Sequence, residues 1–129
     1  MVRSKLSQTD IDAAYEAAQK VVETHRRLRA FLRPAQTLAE IDRFVATTLE
    51  DLNCRSCFLG YRVSRSTAFP SHACLSLNDC VVHGTAGYSM KPVAPGDVLK
   101  IDIGVTHRGW IGDAAWTYSF GTPTTQIRK

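Results

Sequence analysis

Three observations predict an α+β fold, with two helices followed by a run of antiparallel strands. Residues 9–33 carry apolar side chains at helical spacing up to a proline, and residues 37–52 repeat that spacing behind a capping sequence. Residues 98–120 then alternate with period two on either side of a glycine-containing turn.

The first helix opens at Thr9-Asp-Ile-Asp12, where Asp10 and Asp12 suit the positive end of the helix dipole. Ile11, Ala14, Ala18, Val21, His25, Leu28 and Leu32 mark its apolar stripe, and Pro34 ends it. His25, lying on that stripe, is read as a core-edge histidine with satisfied ring nitrogens, not as a ligand. Arg26, Arg27, Arg29 and Arg33 complement the negative end of the dipole and sit in water. A nucleic-acid surface would interleave such residues with stacking aromatics, and only Phe31 is nearby, so no nucleic-acid partner is expected.

The second helix starts at Thr37-Leu-Ala-Glu40, a capping box in which threonine and glutamate satisfy each other's backbone amides. Ile41, Phe44, Val45, Thr48, Leu49 and Leu52 form its apolar face. Residues 53–70 read as irregular, with Gly60-Tyr61 and Phe69-Pro70 as landmarks, and the remainder reads as strand and turn.

In the run from Val98 to Thr106, Leu99, Ile101, Ile103 and Val105 share one face, while Val98, Lys100, Asp102 and Gly104 share the other. The turn His107-Arg-Gly109 leads into a returning run, Trp110 to Phe120, rich in aromatic residues. For any even-length loop, residues whose numbers sum to an odd value share a face, which places Asp113 on the face of Asp102. A tight loop sets their Cβ atoms about 4.5–8 Å apart. Like charges there destabilise a sheet unless a cation lies between them, and carboxylate oxygens suit a divalent metal. A solvated pair, or a bulge that splits the two across the sheet, is the other reading.

With 129 residues, the chain makes one domain at most. A 44% hydrophobic and 22% charged composition is that of an ordinary globular protein, and the net charge of +4 is mild. No apolar stretch approaches the roughly 18–20 residues of a membrane span, and no apolar segment follows the first charges as in an export signal. No membrane partner and a cytoplasmic location are therefore expected. Cys54 and Cys57 have zinc-ribbon spacing, but five residues separate Cys74 from Cys80 where a ribbon needs about two. Reduced, partly buried thiols are expected instead.

Ser76-x-Asn78, Val82-His83-Gly84, Gly96-Asp97, Ile101-Asp102-x-Gly104 and Gly112-Asp113 with Thr117, in this order and spacing, resemble the N-terminal half of type I methionine aminopeptidases. The resemblance covers about residues 5–123. It implies that residues 1–129 are a truncated single domain, one half of a pita-bread fold. In that family a pair of divalent metal ions is held by two aspartates, a histidine and two glutamates. The metals acidify a water near neutral pH and clamp the tetrahedral intermediate. The aspartates match Asp102 and Asp113, but residues 114–129 contain no histidine, aspartate or glutamate. Glu16, Glu23, Glu40 and Glu50 all fall on the predicted helices, so no bridging glutamate is left to act as general base. Two carboxylates alone would hold an ion weakly or not at all, and nothing distinguishes cobalt, manganese, iron or zinc.

By the same resemblance His83 is the catalytic, substrate-binding histidine, hydrogen-bonding the substrate backbone beside the scissile bond. Tyr61, Phe69 and Cys74 match the pocket for a methionine side chain, whose thioether suits aromatic and sulfur surfaces. Phe58 stands where a cysteine is usual, and residues 63–67 look inserted between the pocket landmarks. The function implied is removal of the initiator methionine from a nascent chain or peptide, with this chain inactive alone. Its expected partners are a methionine-first N-terminus and a missing C-terminal half or a second copy. The alternative is a non-catalytic binding module that docks on a protein or ribosomal partner.

Overall fold

A computed structural model of the chain describes residues 5–128. The export-signal reading of the N-terminus falls partly on residues 1–4, which lie outside that range.

Helix α1, Gln8–Phe31, starts earlier than expected because Ser7 is its N-cap. The Ser7 hydroxyl accepts from the Asp10 amide while the Asp10 carboxylate accepts from the Ser7 amide, a reciprocal cap. The C-cap is Leu32, two residues before the proline that prevents continuation. Helix α2, Leu38–Asp51, has the expected Thr37–Glu40 capping box.

Four antiparallel strands follow. They are β1, Arg55–Ser56; β2, Cys74–Leu77; β3, Val98–His107; and β4, Trp110–Ser119. The two-residue β1 interrupts the stretch expected to be irregular, and a short helix α3, Thr125–Arg128, was not expected at all. β3 is the spine. β4 runs along one side of it for its full length, while β1 and β2 share the other side at opposite ends.

The predicted faces of β3 hold. Leu99, Ile101, Ile103 and Val105 are fully buried, and Leu75 and Leu77 of β2 join them beneath the helices. Each such burial contributes about 1.5–3 kcal/mol relative to exposure. Helix α1 lies across β3 and β4, and α2 packs beside it with Leu38, Ile41, Val45 and Leu49 inward.

In its first half, α1 buries a stripe one position away from the expected one. Ala13 and Ala17 face the core, whereas Ile11 is 49% exposed. The reason lies on β4. A Cβ at Gly112 would stand 2.6 Å from the Ala17 carbonyl oxygen, so the helix backbone rests directly on the strand there. Small residues on both elements allow that approach, and a large side chain at the contact would force them apart.

His25 is the satisfied core histidine the sequence suggested. Nε2 lies 2.8 Å from the Ala114 carbonyl, which can only accept, so this nitrogen carries hydrogen. Nδ1 lies 2.8 Å from the Tyr118 hydroxyl, and the ring stacks on Trp116 at 4.7 Å. Burial lowers the His25 pKa and favours the neutral ring.

Gly112→Ala is expected to destabilise the chain by about 1–3 kcal/mol, because the new methyl group meets helix backbone and cannot rotate away. Chemical denaturation of the two proteins measures this, and equal midpoints would contradict the direct helix–strand contact.

Candidate active site

The geometry begins at the β3–β4 turn. Arg108 and Gly109 both have positive φ, 52° and 79°, as a two-residue type I′ hairpin turn requires. His107 pairs with Trp110, so the loop has even length. This register sets Asp102 opposite Ala115 and Asp113 opposite Gly104, one diagonal step apart on the face away from the helices.

Glu16 of α1 holds the turn from below. Its carboxylate accepts from His107 Nε2 at 2.9 Å and from Arg108 at 3.2 Å. These hydrogen bonds lower the Glu16 pKa. Glu23 pairs with Arg27 and Glu40 caps α2, so these three helix carboxylates have helix-surface and turn contacts away from the aspartate pair.

Asp113 is exposed and Asp102 half-buried. Burial raises the Asp102 pKa to about 7, aided by a hydrogen bond to Asp113 and by its charge. Asp102 Oδ1 is fully buried and meets no hydrogen-bond donor. Two carboxylates, one with an orphaned oxygen, form an acceptor-rich site to which no positive group is paired among the described residues. Among the described residues no group of three or more His, Cys, Asp or Glu side chains converges on one point.

A cavity of about 500 Å³ opens over the pair. All six site residues expected from the sequence line it: Asp102, Asp113, His83, Tyr61, Phe69 and Cys74. Cys74 is directly opposite Asp102 across β2 and β3, and burial next to the carboxylates pushes its thiol up to about 11. Burial also raises the Cys57 thiol. Both thiols therefore stay protonated at neutral pH, and Cys74 lines the cavity as a neutral sulfur, not as a nucleophile. All four cysteines are free thiols, as expected.

Phe58 is a wall of this cavity. Two of its ring carbons come within 2.6–2.7 Å of where a Gly104 Cβ would be, so the ring edge fills the space that this glycine leaves. Phe69 meets it edge-on, with centroids 6.5 Å apart. The segment read as inserted forms a tight turn, with Ser64 at φ 57° and the Val63 amide donating to the Ser66 hydroxyl at 3.0 Å. That turn brings Val63, Ser66 and Thr67 to the cavity, where Thr85 joins them. None of these four is legible as a site residue in the sequence: Val63, Ser66 and Thr67 are placed by a loop closed by the Gly60–Phe69 and Phe69–Tyr61 backbone hydrogen bonds, and Thr85 by a segment bonded to Ser71 and Ser76.

Two other motif residues are structural. Asn78 donates to the Asp97 carboxylate at 3.1 Å and accepts from the Val98 amide at 3.0 Å, which closes the loop between β2 and β3. Asp42, which the sequence reading passed over, accepts from the His72 and Ala73 amides and from His72 Nδ1, all at 2.9–3.1 Å. Its signal was legible: a carboxylate sits at a buried position of the α2 stripe, between Ile41 and Val45.

A pair of carboxylates, one half-buried and one exposed, beside an aromatic and sulfur-lined cavity, on a sheet backed by two helices, is the architecture of one half of a pita-bread metallopeptidase. Residues 12–129 match the model of metallopeptidase family M24, and the chain belongs to that family. It is 33% identical over 112 residues to methionine aminopeptidase 1 of Mycobacterium tuberculosis, covering 87% of this chain and 40% of that protein. To methionine aminopeptidase 1 of Bacillus subtilis it is 31% identical over 114 residues, covering 88% and 43%. The crystal structure of methionine aminopeptidase from Thermotoga maritima superposes with a TM-score of 0.85 at 27% identity, over 99% of this chain and 49% of that one. The chain thus spans about half the length of the relatives it matches. Among the described residues no helix is long and apolar enough to cross a membrane.

The aspartate pair makes stability depend on pH in a definite direction. Asp102 has an ordinary value of 3.8, raised in the fold to about 7. Between those values the folded chain holds a proton that the unfolded chain has released, so stability falls as pH rises from about 4 to about 7. Asp102→Asn is expected to remove that fall and to raise the melting temperature of the metal-free chain at pH 8. Thermal melts across the pH range test this, and a variant melting lower than wild type at pH 8 would contradict it.

Proposed function

We propose that this chain is the aspartate-bearing half of a metal-dependent aminopeptidase that removes methionine from the N-terminus of nascent chains and peptides. One observation carries the reading: Asp102 and Asp113 stand side by side in the cavity that also holds His83, Tyr61, Phe69 and Cys74. The orphaned Asp102 Oδ1 is an atom that a cation would satisfy, so the donor set fits a divalent ion. Cobalt, manganese, iron and zinc all accept such ligands. When bound, the ion would supply Lewis acidity and a water of lowered pKa.

The chain's own residues do the remaining work. Phe58, Phe69 and Tyr61 exclude water from one end of the cavity and fit an unbranched apolar side chain, with the Cys74 sulfur as a polarizable neighbour. Asp102 and Asp113 fix the reacting end by charge. The exposed imidazole of His83 makes no hydrogen bond to the described residues and is free to donate to the peptide backbone beside the scissile bond.

By the family resemblance, a histidine and two glutamates complete the ligand set, and these 129 residues do not place them at the aspartate pair. They would come from a second half, either a complementing segment or another copy. β4 is the natural seam: among the described residues it pairs only with β3, which leaves the outer edge of Ala115 to Ser119 without a strand partner. Four free thiols fit a reducing compartment, which supports the cytoplasm as the place of action.

The 129-residue chain is expected to bind Mn²⁺ weakly, with binding lost in Asp102→Asn and Asp113→Asn. It is expected to release no methionine from a Met-Ala-type peptide, and a complementing half that carries the histidine and glutamates should restore turnover. Calorimetric titration and a methionine-release assay measure both. Turnover by the chain alone, abolished in Asp102→Asn, would sink the half-site reading; Mn²⁺ binding unaffected by either substitution would sink the metal assignment.

A further inference from the structure

The segment that carries His83 and Thr85 past the cavity belongs to no helix or strand, yet it lies in backbone contact with β2. A Cβ at Gly84 would stand 2.0 Å from the Leu75 carbonyl oxygen and 2.8 Å from Ser76 Cα, so glycine alone permits this approach. One backbone hydrogen bond crosses the contact, from the Leu75 amide to the Gly84 carbonyl at 2.8 Å.

Two side chains make the other bonds. The Ser76 hydroxyl accepts from the Gly84 amide at 3.1 Å, and the Ser71 hydroxyl accepts from the Ala86 amide at 2.8 Å. Ser71 is fully buried and Ser76 is 2% exposed. Between β2 and these bonds, His83 takes the left-handed conformation, φ 60°, which few residues other than glycine adopt. That conformation breaks the extended pairing a regular strand would offer, and side-chain hydroxyls take the place of a backbone ladder.

Resting on the site reading above, we infer that Ser71 and Ser76 are positioning residues, whose buried hydroxyls pin the Gly84–Ala86 strap to β2 and to the segment just before it, and so set where His83 and Thr85 stand relative to Asp102 and Asp113. The reference point is sound because the two serines bracket Cys74, the direct cross-strand partner of Asp102. The short stretch 71–77 thus measures both distances, outward to the strap and sideways to the carboxylate. A strap unpinned at either serine leaves His83 in the cavity but at no fixed distance from the aspartates, and small misplacements of such groups are costly to catalysis.

The test uses the isotopically labelled 129-residue chain with Mn²⁺ as a paramagnetic probe. In the wild type, Mn²⁺ should broaden the resonances of Asp102, Asp113, His83 and Thr85. In Ser71→Ala and in Ser76→Ala, broadening at the two aspartates should persist while that at His83 and Thr85 weakens. Amide exchange at Ala86 and Gly84, respectively, should accelerate by about ten- to a hundredfold, as expected for a buried donor that loses its acceptor, while β3 amides remain protected. The wild type supplies a check independent of any variant: its Gly84 and Ala86 amides should exchange far more slowly than those of exposed Val81 and Val82. Equal rates there, or identical His83 broadening in all three proteins, would overturn the inference. Absence of broadening at the aspartates in the wild type would instead overturn the metal reading, leaving the exchange measurements to judge the pinning alone.

Discussion

The register between β3 and β4 is the constraint on which the rest of this molecule depends. It is fixed at one end by two positive-φ residues at Arg108 and Gly109, and along its length by alternation on β3 that buries Leu99, Ile101, Ile103 and Val105. A slip of one residue would carry that apolar set to the opposite face and separate the aspartates. The same hydrogen bonds that build the core therefore also assemble the site. Glu16 adds a clamp from α1, so the helix that covers one face of the sheet steadies the turn that aligns the other.

The two faces of the sheet have opposite physical characters. Beneath the helices all is apolar apart from groups that satisfy one another, as His25 does with Tyr118 and Ala114. On the other face a carboxylate with an orphaned oxygen sits beside a second carboxylate, with protonated thiols and phenyl rings as neighbours. Such a face is electrostatically unfavourable by itself, because burial and like charge both oppose ionisation of Asp102. Sites that bind cations commonly carry this imbalance, since the ligand removes it. The cost is borne by a sheet whose other side is thoroughly packed.

The loops that cover this face are ordered by different means from the strands. Asn78 and Asp97 close the connection between β2 and β3, Asp42 gathers the His72 and Ala73 amides, and Ser56, whose hydroxyl donates to the His72 carbonyl at 2.6 Å, ties the loop after β1 to the same segment. Each is a short polar side chain that replaces a missing backbone ladder. Long connections without regular structure can thereby hold cavity residues in place. The short strand β2 becomes a hub, in contact with the spine on one edge and with the loop bearing His83 on the other.

The sequence alone determined the two long helices, the hairpin and the facing of the two aspartates, while His83, Tyr61, Phe69 and Cys74 came from the family resemblance. These rest on local signals: period, caps, turn residues and motif order. Asp42 was equally legible, as a charge on an apolar stripe, and was passed over. What only the tertiary structure decided rests on close approach between distant segments. The burial of Ala13 and Ala17 in place of Ile11 follows from Gly112 lying against helix backbone, and the wall made by Phe58 follows from the open space above Gly104. The turn that brings Ser66 and Thr67 to the cavity depends on hydrogen bonds across a loop. No periodicity encodes such contacts, because they are set by how near two backbones come once the sheet has formed, and a glycine in a sequence does not say which neighbour will fill its place.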